Sequence, residues 1–202
     1  YKITQRHQPR LHLVVLLGPS HRLSFNGMAL CSSDYYQTPL GNVAIDHQLD
    51  NELLEISTIS ILDEAHKMEH SLEVQLPFLQ TVLDEFHLIP IVVGDCKPET
   101  ISQVLELALQ QDNTLIVISS DLSHYHDYQY AKQIDQLTSD AIEQLRYEDI
   151  AYEQACGRNP IRGLLAYSRA HHLHASVVDL RNSGDTAGPK DRVVGYGAYV
   201  IQ

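Results

Sequence analysis

The chain has 202 residues, of which 44% are hydrophobic and 20% charged, as in an ordinary globular protein. Its 14 basic and 26 acidic residues give a formal net charge of −12, which disfavours nucleic acid as a partner because an acidic surface repels phosphate backbones. We expect a soluble, cytoplasmic protein, because no apolar run is long enough to cross a membrane and the start is not signal-like. Three cysteines without CxxC spacing disfavour a disulfide scaffold and a zinc ribbon.

Four short apolar runs predict β-strands. They cover residues 11–17, 88–93, 114–119 and 193–201. The first three are continuous and stop at a glycine or at polar residues, which is typical of strands buried on both faces of a parallel sheet. The last run contains Gly195 and Gly197, which predict a bulge or a close approach of the backbone to another group.

Helical patterns lie between these runs. Leucines at positions 72, 76, 79 and 83 share one helix face, and Pro77 inside that pattern predicts a kink or a shifted start. Further helices are predicted over residues 98–111, 128–146 and 160–171, and residues 182–190 form a loop. The alternation predicts a single α/β domain over residues 1–202, with a largely parallel central sheet flanked by helices.

Three polar residues follow predicted strands. His21 comes after the first strand, and Asp121 and His124 come after the third. Ligands of open α/β sheets bind beyond the carboxyl ends of the strands, so these side chains are candidates for metal binding or proton transfer. Asp121 could orient His124 or act as a second ligand. The alternative for each is an ordinary hydrogen bond within a loop.

Two further residues precede predicted helices. His70 stands at the start of the leucine-patterned helix, where its ring could point into a cleft, although Ser71 beside it could simply cap the helix. Cys156 stands just before another helix, where a thiol can have a lowered pKa and act as a nucleophile or a metal ligand. The alternative for Cys156 is a small buried apolar residue.

Several motifs together resemble the Memo family, in the same order along the whole chain. They are residues 16–21 (LLGPSH), 69–77 (EHSLEVQLP), 119–124 (SSDLSH) and 156–161 (CGRNPI). Residues 182–185 (NSGD) and 194–198 (VGYGA) resemble its bacterial and archaeal members, which are called AmmeMemoRadiSam system protein B. Each motif alone is modest, but their shared order and spacing are specific.

The resemblance implies a fold similar to that of class III extradiol dioxygenases, which are non-haem iron enzymes. It implies that His21 and Cys156 are ligands of iron or copper, and that Asp121, His124 and His70 are catalytic residues beside them. The implied activity is that of a non-haem metal-dependent oxidoreductase. The implied partners are an AMMECR1-like protein and a radical SAM protein, and the mammalian member is linked to binding of a phosphotyrosine peptide.

The sequence departs from the family pattern in one respect. The family has an earlier Pro-His-Ala-Gly-Tyr segment whose histidine is the other ligand histidine, and this segment does not occur in residues 1–202. A missing central strand would leave backbone groups unpaired. We therefore expect that the sequence shown lacks an N-terminal segment of the protein, and with it one metal ligand.

Three functions are consistent with these residues. The first is redox chemistry at an iron or copper ion, in which His124 passes protons. The second is a non-catalytic module in which His21 and Arg22 bind an anionic or phosphotyrosine-type peptide ligand. The third is a metal-free hydrolase or transferase with Cys156 as nucleophile and His124 or His21 as base.

Overall fold

The first apolar run forms strand β1, Leu13–Pro19, in which all seven residues are buried. The computed structural model describes residues 11–186 and 188–202. These residues group into two compact units, of which the first ends at Ser119 and the second is Ser120–Gln202. β1 belongs to the first unit, where burial on both faces suits a strand in the interior of a sheet.

Four more strands join β1 in the sheet of the first unit. They are β2 (Met28–Leu30), β5 (Ile59–Ile61), β6 (His87–Val93) and β7 (Thr114–Ile118). The strand order is β5-β2-β6-β1-β7. β1 pairs in parallel with β6 and β7, and β2 pairs in parallel with β5 but antiparallel with β6. The predicted, largely parallel central sheet is therefore confirmed.

The first unit also contains a hairpin and four helices. The hairpin is β3 (Tyr35–Thr38) and β4 (Gly41–Ala44), and the helices are α1 (Asp50–Leu54), α2 (Asp63–Lys67), α3 (Leu76–Val82) and α4 (Pro98–Ala108). A 3-10 turn, Glu73–Gln75, leads into α3. Pro77 lies in the first turn of α3, where its missing N–H has no intrahelical partner to lose, so it marks the helix start and does not kink the helix.

The leucine pattern faces the core of the first unit. Leu72, Leu76 and Leu79 are buried in one cluster with Val14 and Leu16 of β1. Each fully buried leucine contributes about 1.5–3 kcal/mol relative to an exposed one. This packing fixes the segment before α3 against the end of β1, where two of the candidate residues lie.

The second unit combines two long helices with an antiparallel sheet. Its elements are β8 (His124–His126), α5 (Tyr128–Glu143), α6 (Arg158–Ala170), β9 (Ala175–Asn182) and β10 (Val193–Ile201). The strand order is β8-β10-β9, and both pairings are antiparallel. The helices and the last strand were predicted. β8 and β9 were not, because neither is a continuous apolar run.

The chain is thus a mixed α/β domain, as predicted. Among the described residues, no helix is both long enough and apolar enough to span a membrane. The cytoplasmic location stays a prediction. The prediction of an additional N-terminal segment concerns sequence before Tyr1, which lies outside the described residues.

Candidate functional site

The loop that carries Asp121 and His124 is anchored on both sides within the second unit. Leu122 N donates to Gly195 O at 2.9 Å, and Gly195 N donates to Ser123 O at 2.8 Å. Ser123 N donates to Oδ1 of Asp135, a carboxylate of α5 that is only 2% exposed. These bonds hold the backbone between Asp121 and His124 in one position.

Gly195 allows this anchoring because it has no side chain. A Cβ built on Gly195 would lie 2.1 Å from Oδ2 of Asp135 and 2.5 Å from its Cγ. The predicted close approach at this glycine is therefore confirmed, and the group approached is the carboxylate that binds the loop.

Cys156 is joined to the same loop by its sulfur and by its backbone. Asp121 N donates to Sγ of Cys156 at 3.2 Å, and Cys156 N donates to Asp121 O at 3.3 Å. The next residue, Gly157, donates its N–H to Oγ of Ser120 at 2.8 Å. The segment before α6 and the loop after β7 therefore form one hydrogen-bonded assembly.

Asp121, His124 and Cys156 consequently present three ligand atoms to one point. A carboxylate oxygen, an imidazole nitrogen and the thiol sulfur all lie within 4.8 Å of one another. Nε2 of His124 is 3.5 Å from Oδ2 of Asp121. All three residues are partly exposed, so a small ion can reach them. We call Asp121, His124 and Cys156 the three-ligand group.

The surroundings of His124 and Cys156 shift the pKa of both side chains. Hydrogen bonding to the Asp121 carboxylate raises the pKa of His124, although burial acts in the opposite direction. Burial raises the pKa of the Cys156 thiol, against hydrogen bonds from Asp121 and Ser120. The lowered thiol pKa expected from the nearby helix start is therefore wrong, because loss of solvent outweighs the favourable contacts.

His21 lies in the first unit, two residues after β1, and contacts Glu69. Its Nδ1 is 2.9 Å from Oε1 of Glu69, and its backbone N–H donates to Oε2 at 2.5 Å. Burial would raise the pKa of the Glu69 carboxyl, but hydrogen bonds from His21, His70 and Ser71 outweigh it and hold this pKa below its usual value. Glu69 is therefore a buried, ionised partner of His21.

The side chains of His70 and Ser71 make contacts other than those predicted. The His70 ring is exposed, and its Nδ1 lies 2.6 Å from Oε1 of Glu73. The suggestion that Ser71 caps the helix is wrong, because its hydroxyl donates to Pro19 O at 2.8 Å. The backbone N–H groups of His70 and Ser71 both donate hydrogen bonds to Oε1 of Glu69.

The structure thus places the five predicted residues in two sets. Asp121, His124 and Cys156 come together in the second unit, whereas His21 and His70 lie in the first unit with Glu69 and Glu73 as their respective partners. The supporting roles of Glu69 and Asp135 were not predicted from the sequence. The sequence could have pointed to Glu69, because this residue adjoins a candidate histidine. Nothing in the sequence pointed to Asp135, because acidic residues on a helix are usually solvated.

Comparison with known proteins agrees with the motifs. The family model described as "Memo-like protein" matches residues 1–200. A MEMO1 family protein of Aquifex aeolicus is 38% identical over 196 residues, which cover 91% of this chain and 73% of the relative. A MEMO1 family protein of Metallosphaera sedula is 32% identical over 209 residues, which cover 97% of this chain and 73% of the relative.

A solved structure supports the same fold. The uncharacterized protein JW3007 of Escherichia coli K12 superposes with a TM-score of 0.59 at 15% sequence identity, covering 94% of this chain and 87% of that one. At this identity the likeness concerns the fold alone. The motifs, the match over residues 1–200 and the identities of 32–38% together show that the chain belongs to the Memo family.

Proposed function

We propose that the protein binds a transition-metal ion, iron or copper, through the three-ligand group, and that it uses this ion in redox chemistry. The observation that carries the proposal is the convergence of a carboxylate oxygen, an imidazole nitrogen and a thiol sulfur within 4.8 Å. Exposed acidic clusters are common without a metal, but a partly buried sulfur held beside a histidine is a softer and more selective donor set.

The donor set fits such an ion. Thiolate and imidazole suit iron, copper and zinc, whereas magnesium and calcium prefer oxygen ligands alone. The backbone N–H of Asp121 points at Sγ of Cys156, which stabilises negative charge on that sulfur. Burial opposes the charged thiolate of Cys156, and a bound cation would offset this cost by its attraction to the thiolate.

The chain's own residues have distinct tasks in this proposal. Cys156, Asp121 and His124 would hold the ion, and Asp135 with Gly195 would keep the loop of Asp121 and His124 in place. A bound iron or copper ion would supply electron transfer and an open position for substrate. His124, when it is not ligating, is placed beside Asp121 to hold or transfer a proton.

The ligand roles of His21 and of a histidine upstream of Tyr1 stay predictions from the family resemblance. So do the AMMECR1-like, radical SAM and peptide partners. A metal-free cysteine nucleophile is disfavoured, because the raised pKa of Cys156 reduces the thiolate fraction at neutral pH. A metal-bound thiolate does not have this difficulty.

Metal analysis of the full chain, purified without chelator, tests the proposal. We expect iron or copper at up to one ion per chain in the wild type, and its loss in Cys156→Ala. The matched control is Cys96→Ala, which removes a free cysteine outside the three-ligand group and should leave the metal content unchanged. Equal metal content in Cys156→Ala and the wild type would contradict the ligand assignment, and zinc alone would contradict the redox function.

A further inference from the structure

The His21 ring is held by a carboxylate that is almost completely buried. The Glu69 side chain is 2% exposed, whereas the His21 side chain is 47% exposed. We propose that Glu69 is a positioning residue that fixes His21 as the tautomer with the proton on Nδ1. His21 then presents the free electron pair of Nε2 to a cation or to a transferable proton.

The hydrogen bonds onto Glu69 determine which atom carries the proton. Oε1 accepts from His70 N at 2.9 Å and from Ser71 N at 3.0 Å, and Oε2 accepts from His21 N. Backbone N–H groups can only donate, so both carboxylate oxygens act as acceptors. The contact of 2.9 Å between Oε1 and Nδ1 of His21 is therefore a hydrogen bond only if Nδ1 is the donor.

The exposed edge of the ring follows from this arrangement. Because Nδ1 is turned toward a buried carboxylate, the accessible part of the ring is the opposite edge, which carries Nε2. Neutral imidazole has one N–H, so a proton on Nδ1 leaves Nε2 unprotonated. Histidines that bind metals characteristically donate their other ring N–H to a carboxylate or a carbonyl, which raises the basicity of the free nitrogen.

His66, in the same unit, provides a natural comparison. Its Nε2 lies 3.0 Å from Ala29 O, which can only accept, so Nε2 is the donor. Its Nδ1 then accepts from the Tyr36 hydroxyl at 2.9 Å. His66 has the opposite tautomer and both of its ring nitrogens are used inside the protein, which is the arrangement of a structural histidine.

The proposal does not rest on the three-ligand group, and its test needs no metal. Nitrogen-15 NMR of the chelator-treated full chain, at a pH where the rings are neutral, reports which nitrogen of each histidine is protonated. The His21 signals are assigned by their disappearance in His21→Gln. We expect Nδ1–H for His21 and Nε2–H for His66 in the wild type. A proton on Nε2 of His21 would overturn the proposal.

Two matched variants separate the role of Glu69 from that of a nearby acid. In Glu69→Gln, we expect the preference for Nδ1–H at His21 to fall roughly tenfold or more, as expected for loss of one charge-assisted hydrogen bond. Glu73→Gln, which removes the carboxylate beside His70, should leave the His21 signals unchanged. An unchanged His21 tautomer in Glu69→Gln would show that Glu69 does not position the ring. If that variant does not fold, the wild-type spectrum still decides between the tautomers.

Discussion

Replacing Gly195 by alanine is expected to lower the free energy of unfolding by about 3 kcal/mol, at the upper end of the cost of overpacking a core. The new Cβ would lie 2.1 Å from Oδ2 of Asp135. The carboxylate has little freedom to move, because it is buried and its Oδ1 accepts from Ser123 N. Either the strand or the loop must shift, and urea unfolding followed by circular dichroism measures the result.

The double variant Gly195→Ala/Asp135→Ala tests the cause of this loss. Asp135→Ala alone leaves Ser123 N without its acceptor, which we expect to cost about 1–3 kcal/mol. In the double variant the added methyl group occupies space vacated by the carboxylate, so the combined loss should be smaller than the sum of the two single losses. Strict additivity would show that the clash with Asp135 is not the reason.

Glu69→Ala is expected to lower the free energy of unfolding by about 3 kcal/mol, since one buried and three partly buried donors lose their acceptor at once and each costs about 1–3 kcal/mol when water does not replace it. The donors are three backbone N–H groups and Nδ1 of His21. Glu73→Ala is the control, because its partner His70 is exposed, and we expect a loss below about 1 kcal/mol. Equal losses in the two variants, measured in urea, would refute the structural importance of Glu69.

The contribution of Glu69 to the free energy of unfolding should decrease as the pH falls. Its pKa is lowered in the folded protein, so the unfolded chain takes up its proton first as the pH falls. The stabilisation is therefore fully present above the ordinary pKa of a glutamate and is lost as the pH falls through the lowered value. The difference in stability between the wild type and Glu69→Ala should accordingly shrink in acid, and a constant difference would argue against an ionised Glu69.

Local patterns in the sequence predicted the parallel strands β1, β6 and β7, but not the three-residue strands β2 and β5, which are too short to give an apolar run. The stretch of residues 13–17 is apolar throughout because both faces of β1 are buried, and this property is visible without any knowledge of its neighbours. The leucine spacing before and within α3 was equally informative, since a helix with one buried face must repeat apolar residues at that interval.

The antiparallel sheet and the supporting carboxylates could not be predicted in the same way. β9 has mostly exposed or half-exposed residues, so it carries no continuous apolar signal. Asp135 and Glu69 bind loops that are distant in sequence, 12 and 48 residues away respectively. Such contacts depend on the tertiary fold. From the sequence, Cys156 was grouped with Asp121 and His124 only because of the family resemblance.

Cobalt(II) titration of the metal-free full chain tests the central claim most directly, because a thiolate bound to cobalt gives a sulfur-to-metal charge-transfer band. We predict that this band appears in the wild type and in Cys96→Ala, is absent in Cys156→Ala, and is weaker or shifted in His124→Ala. A band of unchanged intensity in Cys156→Ala would contradict the account, because it would place the metal on a sulfur outside the three-ligand group.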